Sequence, residues 1–402
     1  MTFSDKLKRV FPFLLLCAYG VFLCSYFIFE DYSEPYRFFA RVVFVLGIFV
    51  FIGGIRDTWR HPAFLAMASY MTYLLLSGLW SDPLDWYRLG QKLTISIYIL
   101  SFIAITHFLT QWNRSFFEHM LQLCTLVAAV AAATSIVVFY SGNSFPATRL
   151  MGIGSLTNIN EFANVYGVFA LLAMAFALRC PQLPLKILLL FAVGAFVCVA
   201  WFGQSGTAFI SLLIALLTFL GLMLRAKNLW YLATLAILAG IVALTLIFPD
   251  VLEQALLRGE GLRPPIWAEA WKQAISRPVV GHGFISEISI EAGEQHFNTA
   301  HNAYLQVFWQ GGAIGLSLFL LLLLVAVRHA WSWGRQQQDY TAFCMFIFAA
   351  CVMMTGVDTL IARPRDQWML FWFPLALLIS YQSSTSRSPL HSTHPTAARA
   401  SS

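Results

Sequence analysis

Ile187-Leu188-Leu189-Leu190-Phe191-Ala192-Val193-Gly194-Ala195-Phe196-Val197-Cys198-Val199-Ala200-Trp201-Phe202 runs without a charged residue. With Leu183 and Leu185 ahead of it, the stretch reaches the length of about 20 apolar residues that a helix needs to cross a bilayer. Comparable runs begin near Phe11, Phe38, Pro62, Leu93, Met120, Phe162, Thr207, Leu229, Ala303, Thr341 and Trp368, so the pattern predicts about twelve transmembrane helices. Composition points the same way. Hydrophobic residues make up 59% of the chain and charged ones 11%, where soluble domains carry roughly a quarter charged. The expected fold class is all-α, a polytopic membrane protein.

Lysines and arginines set the orientation. With the N-terminus inside, Lys6, Lys8, Arg9, Arg56, Arg60, Arg114, Arg179, Lys186, Arg328 and Arg335 fall on the cytoplasmic side, and Glu30, Asp31, Asp82, Asp85, Glu287 and Glu291 fall outside. The first apolar run is too long for a removable signal and lacks a small-residue cleavage site, so it is expected to stay as an anchor. The net charge of +6 fits this inner-face bias and contact with membrane lipids, and no nucleic-acid partner is expected. The seven cysteines lie in or at the edges of the apolar runs, which suits buried thiols better than disulfides.

Residues 1–382 read as one membrane domain and 383–402, rich in Ser, Thr, Pro and His, as a disordered cytoplasmic tail. Within the domain, residues 249–302 form a long outer segment, far beyond ordinary loop length and so a candidate functional element. Pro264-Pro265 pre-sets a helix there, Ile266, Trp267, Ala270, Trp271, Ala274 and Ile275 recur at helical spacing, and Pro278 ends it. That pattern predicts a short interfacial helix with Trp267 and Trp271 dipping into the headgroup layer.

Several side chains in and around this segment suit chemistry on an anionic lipid-borne substrate. Arg263 precedes the helix, where its planar fork and free backbone N–H groups could meet a phosphate. Arg149 lies in a glycine-containing outer loop that returns through Asn158, Asn160 and Asn164. Arg363 and Arg365 form a third outer basic site, which could pair internally with Asp358 or Asp366. His301 stands at the start of the tenth run, where the helix dipole is expected to keep the ring neutral and able to accept a proton; Tyr304 could share its face. The spacing of His282, His296 and His301 fits no standard zinc pattern, so no metal is expected.

The motif order is Arg263-x-x-Ile266-Trp267, Arg277-Pro278-x-x-Gly281-x-Gly283-Phe284, His301-Asn302-x-Tyr304-Leu305 and Gly311-Gly312-x-x-Gly315-Leu316. This order resembles the O-antigen ligase and polymerase superfamily of bacterial envelopes, specifically over Arg263 to Leu316 and more weakly around Arg149 to Asn160. The resemblance implies a GT-C-like glycosyltransferase of the bacterial inner membrane with a periplasmic active site, independent of metal and other cofactors. Its donor would be O-antigen on undecaprenyl diphosphate and its acceptor lipid A-core. It further implies His301 as general base and Arg149 and Arg263 as diphosphate contacts, with Asn160, Tyr304, Arg363, Arg365 and Trp267 as further candidates for substrate binding.

The chain departs from the family pattern in one place. Where many relatives carry Ser-Arg-Gly at an outer helix start, this sequence has Gln204-Ser205-Gly206-Thr207. Either Arg363 or Arg365 replaces the missing cation, or fewer arginines hold the donor. An O-antigen polymerase and a protein-directed oligosaccharyltransferase remain the nearest alternatives. A lipid-linked glycan flippase is the alternative of another class, and it predicts broken helices and ionisable groups near the mid-bilayer.

Overall fold

A computed structural model describes residues 3–156, 158–224, 261–293 and 295–385. The chain is mainly helical: α1 Phe3–Ile28, α2 Glu34–Phe38, α3 Phe44–Thr58, α4 Pro62–Ser77, α5 Trp86–Trp112, α6 Arg114–Tyr140, α7 Ile159–Arg179, α8 Leu183–Phe202, α9 Gly206–Leu224, α10 Arg263–Ala274, α11 Ala303–Gln337, α12 Thr341–Val352 and α13 Phe373–Thr385. Among the described residues, eight helices are long and apolar enough to cross a membrane: Val10–Ile28, Pro62–Trp80, Trp86–Trp112, Arg114–Tyr140, Ile159–Arg179, Leu183–Phe202, Gly206–Leu224 and Ala303–Gln337.

Three further expected crossings are helical but interrupted. The one near Phe38 is divided by a π-helical turn over Phe39–Val43, and those near Thr341 and Trp368 form the shorter apolar helices Thr341–Val352 and Trp368–Gln382. The crossing near Leu229, residues 249–260 of the outer segment and the tail beyond 385 lie outside the described residues. α13 itself continues to Thr385, three residues into the stretch expected as tail.

Polar caps decide where the helices start. Asp85, Asn113, Asn158 and Asn302 each accept a backbone N–H from the first turn of α5, α6, α7 and α11, contacts worth about 1 kcal/mol apiece. α7 is the central helix, with almost every residue from Glu161 to Ala177 buried. Around it packs an aromatic core in which Phe39 and Phe102 both lie against Trp368, with centroids 5.0 and 5.3 Å away.

The outer segment differs from the expectation. It contains a small antiparallel hairpin, β1 Ile290–Ala292 and β2 Gln295–Phe297, that the all-α reading did not foresee. α10 forms where Pro264-Pro265 predicted it, but its apolar face is not turned to the headgroups. Ile266, Ala270 and Ala274 are buried with Ile290, Ala292, Ala300 and Trp309, and Trp267 packs against that same cluster. Trp271, stacked on Phe308 with centroids 5.4 Å apart, stays exposed, as does Ile275 just past the helix end. The hairpin supplied a protein surface for this face.

α11 is 35 residues long, about 50 Å at 1.5 Å per residue, well over a hydrocarbon core of roughly 30 Å. It breaks at Gly312, whose φ of 61° and ψ of −162° are not helical. Into the break slides the segment from Pro278 to Gly283. Trp309 and Gln310 carbonyls accept from the His282 and Gly283 N–H groups, at 2.9 Å each, while the Ala313 and Ile314 N–H groups donate to Pro278 and Val279 carbonyls, at 2.8 and 3.2 Å. A side chain on Gly312 would collide with the Val279 carbonyl, and one on Gly281 with that of Gln310. The two glycine motifs of the sequence are therefore halves of one joint.

Candidate active site

At the end of the bundle where α7 and α11 begin, a cavity of about 460 Å³ is lined by Arg263, His301, Asp358, Glu161, Arg365 and Asp366, with Asn158, Asn160, Thr355 and Gln367 completing much of its polar wall. Arg56, Arg114 and Arg179 sit at helix ends on the opposite side, close to the end of α3, the start of α6 and the end of α7. The cavity thus gathers three segments far apart in sequence: the outer segment, the loop between α12 and α13, and the first turn of α7.

Several contacts fix His301. Asn302 caps α11, the Ala300 N–H donates to Gln306 Oε1 at 3.0 Å, and the Ala303 N–H donates to the Met353 carbonyl at 2.9 Å. The last contact draws the start of α11 against the end of α12, and the loop that follows α12 brings Asp358 to the ring. Nδ1 of His301 lies 3.0 Å from Oδ1 of Asp358. That carboxylate oxygen is buried and has no aligned hydrogen bond among the described residues, so the close contact becomes an ion pair when the ring is protonated. With Nδ1 turned to the carboxylate, Nε2 is the nitrogen left for a substrate.

The Asp358 carboxylate raises the His301 pKa above the usual histidine value, against the opposing pull of burial and of the Arg263 charge. The expected lowering by the helix start is outweighed. The neighbouring carboxylate stabilises the imidazolium more than the helix terminus disfavours it.

Arg263 is the first residue of α10 rather than the one before it. Its guanidinium lines the cavity, and burial lowers its pKa from the ordinary arginine range, though an arginine stays charged under such a shift. Arg365 is the second cation in the wall. It is held in a two-pronged contact by Glu161, with Nε 3.2 Å from Oε2, and lies over the Tyr32 ring at 4.2 Å. One turn along α7, Asn164 donates to Asp366 Oδ2 at 2.8 Å. Burial pushes the Asp366 carboxyl up to about 6. These paired contacts staple the first turn of α7 to Arg365-Asp366. The expected partners of Arg365, Asp358 and Asp366, give way to Glu161.

The other candidates divide. Asn160 lines the cavity, its Oδ1 accepting from the Ser205 hydroxyl at 2.9 Å. Arg149 does not line it: Nε donates to the Gly203 carbonyl at 3.0 Å and a terminal nitrogen reaches the Gln204 carbonyl at 3.4 Å. Those carbonyls close the end of α8, a natural seat for a cation, so Arg149 supports the turn behind Asn160. Arg363 lies over the Tyr36 ring at 4.9 Å, outside the lining. Tyr304 turns away from His301 and donates its hydroxyl to the Ala350 carbonyl at 3.0 Å. Trp267 is in the α10 cluster, and His282 stacks on Trp309 with its centroid 4.7 Å away.

Comparison with known proteins adds a second kind of observation. The O-antigen ligase family matches residues 191–320, a stretch that holds Arg263, His301 and the Gly312 joint. The O-antigen ligase of Pseudomonas aeruginosa is 28% identical over 328 residues, covering 81% of this chain and 79% of that protein. This chain is similar to O-antigen ligases over most of its length. Independently of that likeness, the eight long apolar helices among the described residues give the chain the layout of a multi-pass membrane protein. Asp358 and Arg365 lie beyond the family-matched stretch. In the sequence Asp358 stands out only as a possible arginine partner, and Glu161 does not stand out. Their signal is faint: single acids at the edge of apolar runs, brought into the cavity wall by the folded chain.

Proposed function

We propose that this protein joins O-polysaccharide from undecaprenyl diphosphate to lipid A-core on the periplasmic face of the inner membrane, by an inverting, metal-independent displacement. The observation that carries the reading is the meeting of the His301–Asp358 pair with Arg263 and Arg365 around one cavity. The bias of basic residues to the opposite end of the helices supports a periplasmic mouth.

In this reaction Asp358 holds Nδ1 of His301 protonated and oriented, and Nε2 takes the proton of an acceptor-sugar hydroxyl. The freed oxygen forms a bond to the anomeric carbon of the donor as the bond from that carbon to the diphosphate oxygen breaks, inverting the centre. Arg263 receives the departing charge, joined by Arg365 from its seat between Glu161 and Tyr32. The proton remains on His301 until solvent or the released diphosphate takes it. A flippase would call for ionisable groups near mid-span. Here the break in α11 at Gly312 is saturated by backbone from the outer segment, and the charged groups of the cavity gather at its end of the bundle.

The test is transfer by purified protein from lipid-linked O-polysaccharide to lipid A-core in the presence of chelator. Wild type is expected to be active and His301→Ala to lose at least about 1,000-fold. Turnover by the variant, or chelator-sensitive activity restored by a divalent ion, sinks the assignment.

A further inference from the structure

The Arg277-Pro278-x-x-Gly281 segment does more than close the break in α11. Ile275, Val279 and Val280 are 49%, 58% and 42% exposed, yet their segment is tied to the end of a membrane-length helix. The Val280 carbonyl accepts from Trp80 Nε1 at 3.3 Å, and Tyr73, a turn inside the end of α4, donates to the Gly311 carbonyl at 2.8 Å. Both donors belong to the membrane span Pro62–Trp80. Beside these apolar side chains stands Arg277, exposed and without a hydrogen bond or ion pair to its guanidinium among the described residues. A free cation over lipid-facing apolar surface fits the boundary between a phosphate headgroup and its acyl chains.

α10 runs from this patch to the cavity. Its 12 residues span about 18 Å, with Trp271 exposed on the way and Arg263 at the far end. We propose that this elbow docks the acceptor glycolipid: a headgroup phosphate rests on Arg277, acyl chains lie against Val279 and Val280, and the glycan follows α10 to His301. The inference rests on the acceptor class assigned above. It explains why the segment is both exposed and rigidly spliced into α11, since an anchor for one end of the acceptor must keep a fixed distance from the base.

Binding is measured without turnover, using full-length protein carrying His301→Ala in phosphatidylcholine nanodiscs, titrated with lipid A-core bearing or stripped of its phosphates. Arg277→Gln is expected to weaken binding of the phosphorylated form about 10-fold and leave the stripped form unchanged, as removal of one charge-assisted contact requires. Arg277→Lys should fall between, and it serves as the reading if the glutamine variant does not remain monodisperse. Equal loss for both ligands, no loss for either variant, or equal displacement of the acceptor by phosphatidylglycerol overturns the proposal, the last in favour of general headgroup anchoring. Wild-type transfer, assayed separately with donor, reports on the function itself, so catalysis without an Arg277 effect leaves that reading standing and removes only this one.

Discussion

His301 carries a raised pKa because a carboxylate faces Nδ1, and the sign of that shift makes a prediction. The base must be neutral to act, so the rate should climb with pH through a value above the usual histidine range of about 6.5. Asp358→Asn removes what stabilises the imidazolium; the climb should then move to lower pH while the plateau falls by about 10² or more, since the ring also loses its orientation. A pH–rate profile decides it: an unmoved limb means that the titrating group is not His301. Arg263 invites a different comparison. Arg263→Ala should raise the donor KM more than Arg263→Lys does, because a point charge keeps attraction but loses the two-pronged fork. Equal KM for the two would mean that no phosphate is gripped there. His301 and Arg263 were both readable from sequence, since each sits beside a helix start that the proline and cap residues announce. Asp358 was not, because nothing local tells an acid in a short outer loop which distant helix it will face. Arg149 shows the converse case, a basic residue whose guanidinium the folded chain places on the Gly203 and Gln204 carbonyls outside the cavity lining.

At the scale of elements, α11 and the Pro278–Gly283 segment behave as one piece. His301 and Asn302 immediately precede α11, whose direction is set where Gly312 leaves the helix to receive the inserted backbone. Gly312→Ala would force a side chain into the Val279 carbonyl at a positive φ, a strain of about 2 kcal/mol or more. The expected result is a lower unfolding temperature in detergent together with a fall in kcat, as His301 loses its fixed distance from Arg263. A variant that melts lower yet keeps its kcat would show the joint to be structural only. Periodicity located α10 and the start of α11 correctly, but it could not reveal that the two glycine motifs meet or that a hairpin would cover α10's apolar face. Period and propensity describe one segment at a time, whereas these features depend on backbone groups exchanged between segments. The π-helical turns at Phe39–Val43 and Trp368–Trp372 were invisible for the same reason.

For the whole molecule, apolar run length was enough to establish a polytopic helical membrane protein, because water-free surroundings leave a spanning chain few options. It was less able to count the crossings, since interrupted helices blur into their loops. The more telling feature at this scale is polarity along the bundle: cavity, carboxylates and arginines at one end, basic helix termini at the other. A transfer enzyme so arranged meets its donor and acceptor lipids in the same leaflet, and the cell surface should report which acceptor it serves. Deleting the protein should leave complete lipid A-core without polymer while lipid-linked polymer accumulates, and His301→Ala should reproduce this with normal protein abundance. A core capped by a single repeat would instead place the enzyme among polymerases, because chain growth and not attachment would then have failed. Altered glycoprotein with intact lipopolysaccharide would point to a protein acceptor. Gel profiles of extracted lipopolysaccharide separate the three, since each moves a different set of bands.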